Sequence, residues 1–189
     1  AQDVQRGRWQ PLVEPAWSKE YLARLEQDHK KLLTIWPYHV LIGSPGHMLD
    51  PELWSAVFWH SVARKTQPTW LSKGSIPRTE HYSIIQPEVP APDVPGGGKN
   101  QAFLDELAQA DLIIVAGEAE SHCVLATVED LVDEFRDQTD MLRKILLLRD
   151  CTSPVVHPEI DFHAIAAARL AEFERMGLRL VDSTAVALS

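Results

Sequence analysis

The chain is short of cysteines, of basic residues and of long apolar runs, and each shortage removes a class of protein. Only Cys123 and Cys151 occur in 189 residues. Two thiols make no disulfide framework, so a reducing cytoplasm is the expected address. Lysine and arginine number 18 against 27 aspartates and glutamates, for a net charge of −9. No stretch sets basic residues among aromatics as a nucleic-acid surface does, so no nucleic-acid partner is expected. The longest apolar runs, within Asp111 to Gly117 and Ile145 to Leu148, fall far short of the ~20 residues that cross a bilayer, so no membrane partner is expected either. The opening stretch "AQDVQRGRW" is polar and has no apolar core of the kind a secretion signal carries.

A hydrophobic content of 45% is enough for a buried core, and the length suits one domain over residues 1–189. Ala1 to Pro15 is polar and shows no period. A helix is expected from Ser18, which would cap it, with Tyr21, Leu22 and Leu25 as its apolar stripe and Lys30 and Lys31 at its carboxyl end. "LLTIWP" (32–37) reads as a short strand stopped by Pro37. A helix is expected from about Pro51 to Arg64, and "TWLSKG" (69–74) reads as a strand ending at Lys73 and Gly74. Residues 83–99 hold Pro87, Pro90, Pro92 and Pro95 and then Gly96, Gly97 and Gly98, which predicts a long Pro/Gly-rich loop.

From Asn100 the pattern becomes regular. Helices at Gln101–Gln109, His122–Arg136 and Ile160–Met176 alternate with apolar strands at Asp111–Ala116, Lys144–Arg149 and Arg179–Val181. Short, wholly apolar strands alternating with helices predict an α/β fold, a doubly wound, mostly parallel sheet in three layers and Rossmann-like, with helices on both faces. Ligands in such sheets sit beyond the carboxyl ends of the strands, where loops turn into helices.

Cys123 occupies such a place. Unpaired N–H groups and the helix dipole there favour a thiolate, and the same groups can hold an oxyanion. Gly117 and the small Ala119 let backbone approach a substrate closely. Two readings of Cys123 stand: a nucleophile, or a small residue packing helix against sheet. His122 is adjacent, but neighbouring helical side chains diverge, so it is a poor base for Cys123. Lys73, at the end of an earlier strand, is better placed to stabilise a thiolate. Asp161 and His163 look like a ligand pair but are read more economically as a helix-end carboxylate and an exposed imidazole. "GGGKN" lacks the Ser or Thr and the glycine spacing of a phosphate loop and reads as a flexible turn. Cys151 ends a strand with no helix behind it and reads as a packing or pocket-wall residue.

Three motifs resemble one family. "GEAESHCV" (117–124) is similar to the GxAxxxCV nucleophile motif of the nicotinamidase and isochorismatase-like cysteine hydrolases. "WPYHVLIGSPGHMLDPEL" (36–53) resembles that family's WPxHC-like segment and GTxGA-like turn, and "SKGSIPRTEHYS" (72–83) its KG followed by a YS pair. They stand in the family's order.

The resemblance implies the three-layer α/β fold and a Cys, Lys and Asp catalytic set, of which Cys123 and Lys73 fill the first two places. It implies an oxyanion hole from the backbone N–H groups of Ala119 and Cys123, a cis peptide between Glu118 and Ala119, and His39 as one ligand of a zinc or other divalent ion. The implied activity is cleavage of the C–N bond of a small carboxamide through a thioester. The family's DxQxxF strand and DxH segment have no counterpart before His39: Asp3 lies in a polar stretch, and Asp161 and His163 come too late. The expectation is therefore a carboxyl-terminal portion of a longer protein, lacking its first strands, whose sheet edge is covered by a homo-oligomer or by a companion amino-terminal chain. The alternative is a catalytically incomplete fragment, or a binding and assembly module on the same scaffold.

Overall fold

The computed structural model describes residues 2–12, 14–27 and 33–186. Two short helices open the chain, α1 (Gln2–Gln5) and α2 (Pro15–Gln27), and α3 (Pro51–Arg64) follows. Then come α4 (Gln101–Ala108), β1 (Ile113–Val115), α5 (Leu125–Glu134), α6 (Thr139–Leu142), β2 (Ile145–Leu148), α7 (Phe162–Met176) and β3 (Arg179–Val181). The strands form one parallel sheet in the order β1-β2-β3. Ile113 lies beside Ile145 and Leu146 beside Arg179.

This is an α/β fold, a parallel sheet flanked by helices, and the core sits in its carboxyl-terminal half. Ile113, Ile145 and Leu147 point alternate side chains to one face, where they meet Val128, Leu131 and Val132 of α5 and Leu170 and Phe173 of α7. Leu146 points the opposite way and is equally buried. The central strand is therefore covered on both faces, which is why "ILLL" reads as an uninterrupted apolar run. On β1, at the sheet's edge, Ile114 remains exposed. Asp161 caps α7 by accepting from the Ala164 N–H at 2.9 Å, and Asp50 caps α3 by accepting from Glu52 N–H at 2.8 Å.

Several expectations require correction. Residues 33–37 and 69–74 form no strand; Ile35 and Trp70 stay exposed, and neither segment pairs with a described strand. Ser18 does not cap α2. The helix begins at Pro15, and the Ser18 N–H already donates to the Glu14 carbonyl at 3.0 Å. Lys30 and Lys31 lie outside the described residues. Cys151 is exposed rather than packed.

The glycine run is no free turn. A Cβ on Gly97 would come within 2.1 Å of the Ala91 carbonyl oxygen, because Ala91 N–H donates to the Gly97 carbonyl at 2.7 Å. The rest of 83–99 has no helix or strand but is stitched down by polar contacts. Ile84 N–H donates to Thr127 Oγ1 (3.3 Å), Gln86 Nε2 to Asp130 Oδ1 (2.7 Å) and Asn100 N–H to the Ile85 carbonyl (2.7 Å). Helix α2 packs on the same stretch through Tyr21, Leu22, Leu25 and Val89. The Tyr21 hydroxyl donates to Glu80 Oε2 at 2.7 Å, and burial followed by this carboxylate pushes the phenol's pKa far above its ordinary value.

Candidate active site

β1 ends at Val115, and the chain then makes a sharp approach to α5. Gly117 has φ of 122°, a region that favours glycine, and the Glu118–Ala119 peptide is cis. A wide π-type turn, Glu120–Val124, leads into α5 and carries Cys123. The Ala119 carbonyl closes this turn by accepting from the N–H groups of His122 (3.0 Å) and Val124 (3.1 Å).

The loop after β2 braces the turn from the side. Gly117 N–H donates to the Cys151 carbonyl at 3.0 Å, and Glu120 N–H to the Ser153 carbonyl at 2.8 Å. Thr152 Oγ1 donates to the Gly117 carbonyl at 2.6 Å. The Glu118 carboxylate accepts from Ser153 N–H at 3.1 Å and from Ser153 Oγ. Parallel pairing of β1 with β2 puts both loops at the same end of the sheet, so the contacts follow from topology.

Lys73 arrives from the irregular half of the chain. Its Nζ donates to Cys123 Sγ at 3.3 Å and to the His81 carbonyl at 3.0 Å. The sulfur is half-buried. An ammonium at hydrogen-bond distance stabilises a sulfur anion more than a thiol, and the N-terminal end of α5 acts in the same sense. A cavity of about 790 Å³ opens beside Lys73, lined also by His81, Ile85, Pro95 and Asn100. Cys123 does not line it, so it flanks the cation rather than the sulfur.

The residue before the cysteine sits in an aromatic box. The His122 ring meets Trp36 edge-on at 5.2 Å, Tyr82 at 5.9 Å and Phe162 at 4.8 Å. Its Nδ1 is 2.8 Å from Ser121 Oγ. Trp36 Nε1 donates to the Tyr82 hydroxyl at 2.9 Å, and burial raises the pKa of that phenol. These four rings come from four separate segments. Trp36, Tyr82 and His122 lie inside the quoted motifs, but nothing in their spacing announced that they meet, and Phe162 carried no signal.

His81 borders the site, with a buried Nδ1 that makes no hydrogen bond. Burial, aided by the Lys73 ammonium, lowers its pKa, with the nearby backbone of Gly96 and Thr79 opposing the shift. The imidazole is thus held neutral.

His39 lies at the rim of this box, its ring meeting Trp36 edge-on at 6.3 Å. It is exposed, and its Nδ1 is 2.6 Å from the Pro37 carbonyl. Among the described residues no group of three or more His, Cys, Asp or Glu side chains is placed to hold a metal ion. The described residues do not make a metal site. Asp161 and His163 do not act as a pair: Asp161 caps its helix, and the exposed His163 places Nδ1 3.4 Å from Glu120 Oε1.

This parallel α/β sheet, whose first strand hands over through a tight loop to a turn bearing a cysteine, is similar in fold to solved nicotinamidases. Two solved structures carry the likeness. The yeast nicotinamidase Pnc1p, bound to the inhibitor nicotinaldehyde, superposes with a TM-score of 0.54 at 17% identity, over 80% of this chain and 60% of its own. PnC1 from L. infantum, in complex with nicotinate, superposes with a TM-score of 0.55 at 25% identity, over 82% of this chain and 64% of its own. The chain thus spans less than two thirds of the length of either. No family model matches the sequence, and no curated protein matches it.

Proposed function

We propose that this chain carries the nucleophilic half of a cysteine amidohydrolase acting on a small, planar carboxamide of the nicotinamide kind. The observation that carries the reading is the 3.3 Å contact between Lys73 Nζ and Cys123 Sγ at the start of the helix after β1. The Cys123 thiolate attacks the amide carbon, and its negative charge passes to the carbonyl oxygen. Backbone N–H groups of Ala119 and Cys123 receive that oxyanion. Collapse of the adduct breaks the C–N bond and releases ammonia once the nitrogen takes up a proton, leaving a thioester on Cys123. Water then attacks the thioester carbon, releases the carboxylic acid and restores the thiol. The rings of Trp36, Tyr82, His122 and Phe162 favour a flat, aromatic substrate by stacking and edge contacts.

The resemblance gives the proton transfers to an aspartate on a strand that this sequence lacks, so the reading assigns that carboxylate to a companion amino-terminal segment or chain. A metal, if the whole protein uses one, would take most of its ligands from the same place. A cytoplasmic address fits the scarcity of cysteines. The second reading, a catalytically incomplete scaffold used for binding or assembly, is favoured by one observation: no metal-holding cluster exists among the described residues.

Two measurements separate the readings. With the companion segment or chain supplied and nicotinamide and pyrazinamide as substrates, Cys123→Ala is expected to cut ammonia release by ~10³-fold or more, since members of a cooperating set are not individually dispensable. Activity that survives this change would refute the nucleophile. Alkylation at pH 7, followed by peptide mass, is expected to modify Cys123 about tenfold faster than the exposed Cys151, and Lys73→Met to remove that advantage. Equal rates for the two thiols in the unaltered chain would favour the scaffold reading.

A further inference from the structure

The stretch that carries the proposed oxyanion donor Ala119 is held by hydrogen bonds rather than by packing. Gly117 and Glu118 are exposed and Ala119 is half-buried, whereas the apolar anchors of the following helix begin only at Val124. Apolar burial is non-directional, but a hydrogen bond constrains both distance and angle. The direction in which this backbone points is therefore set by its polar partners.

Those partners converge on one residue, because Ser153 bonds to the turn on both sides of Ala119. Ahead of it, Ser153 N–H and Ser153 Oγ both donate to the Glu118 carboxylate, at 3.1 Å and 2.9 Å. Behind it, the Ser153 carbonyl accepts from Glu120 N–H at 2.8 Å. The charge on the acceptor makes the first two bonds stronger than neutral ones. Other residues of the same loop extend the grip: Thr152 Oγ1 donates to the Gly117 carbonyl at 2.6 Å, and Val155 N–H to Ser121 Oγ at 3.0 Å. With Glu118 tied through its side chain and Glu120 through its N–H, the backbone of Ala119 has little freedom to turn.

We infer that Ser153 and Glu118 are a pair of positioning residues for the oxyanion hole. Neither touches the substrate; together they aim the Ala119 N–H at the oxygen that becomes charged. The inference rests on the reaction proposed above, since it takes that N–H as an oxyanion donor. Such donors act over a narrow range, ~2.7–3.1 Å from the charged oxygen. A brace that slackens is thus felt by the tetrahedral adduct and hardly at all by the free thiol.

An aldehyde adduct tests this with the chain alone and without turnover. Nicotinaldehyde is the probe. Cys123 Sγ bonds to the aldehyde carbon, the C=O π bond breaks, and its electron pair leaves the oxygen negative until solvent supplies a proton; nothing is oxidised or reduced. Carbon NMR of the carbonyl-labelled aldehyde reads the thiohemiacetal, which Cys123→Ala is expected to remove. Ser153→Ala and Glu118→Ala are each expected to raise the adduct's dissociation constant about tenfold, less than outright loss of an oxyanion donor costs. The double variant is expected to lose no more than either single one, because the two side chains act through one contact. Ser153→Thr, which keeps the hydroxyl, is expected to keep the adduct. Alkylation of Cys123 by iodoacetamide is the control: it builds no oxyanion and depends on the thiolate beside Lys73, so its rate is expected to stay within about twofold in each brace variant.

An unchanged adduct constant in either Ser153→Ala or Glu118→Ala overturns the inference and leaves the proposed reaction standing. So does alkylation that slows in proportion to the adduct, which would mark a turn loosened as a whole, or a double variant whose loss is the product of the single ones. A chain that forms no adduct, or an adduct that survives Cys123→Ala, overturns the proposed reaction and the inference with it.

Discussion

Residues 101–181 and residues 33–100 follow different rules. The later stretch alternates helix and strand without interruption and supplies nearly all of the large core, from Leu104 to Leu178. The earlier one contains a single α-helix and no strand, and its large apolar residues are mostly exposed. Yet the site draws on both. Cys123 belongs to the regular half, whereas Lys73, Trp36 and Tyr82 come from the irregular one. A packed scaffold holds Cys123, and loosely structured backbone brings Lys73 and the rings around it. This is the common division of labour between sheet and loops in α/β proteins.

Stability should divide along the same line. Phe173→Ala empties a fully buried position beside α5 and β2 and is expected to cost ~3–5 kcal/mol by urea denaturation. Trp59→Ala, measured at concentrations that keep the chain monomeric, is expected to change stability by no more than ~0.5 kcal/mol despite the larger side chain. Comparable losses at the two positions would erase the contrast. A smaller effect is expected at Asp161, whose carboxylate caps α7: Asp161→Ala should cost ~1 kcal/mol, and Asp161→Ser should recover most of it.

The smallest effect concerns pH. The half-buried His81 has a folded pKa below its ordinary value, so between that folded value and ~6.5 the unfolded chain binds a proton that the folded chain refuses. Stability is therefore expected to be fully present above ~6.5 and to fall as pH drops through this window. His81→Asn should flatten that slope in urea titrations between pH 5 and 7.5. A slope unchanged by the substitution would remove His81 from the account.

Where the sequence was legible, one physical property made it so. The β1 to β3 units follow from short apolar runs set between amphipathic helices; β3 keeps its expected bounds and β2 loses one residue at each end, while β1 shrinks from 111–116 to Ile113–Val115 and the helix expected from His122 begins, as α5, only at Leu125. α3 was equally plain, because Asp50 and Pro51 begin it and Arg64 ends it. The expected strands at 32–37 and 69–74 failed for a matching reason: β-rich composition becomes a strand only when a neighbour supplies the ladder, and none of the described strands pairs with these segments. The position of Cys123 after a strand was visible in the sequence. The brace from Thr152 and Ser153 was not, since it depends on two strand ends lying side by side.

The sequence by itself determined the periodicity of the carboxyl-terminal half, the capped ends of α3 and α7 and the glycine at 117, because these depend on neighbours within a turn or two. Tertiary structure alone decided that Lys73 reaches a sulfur fifty residues away, that three aromatic rings enclose His122, and that His39 stands free of any described ligand cluster. Those outcomes hang on which loops share one end of a parallel sheet, and local propensity carries no record of that choice.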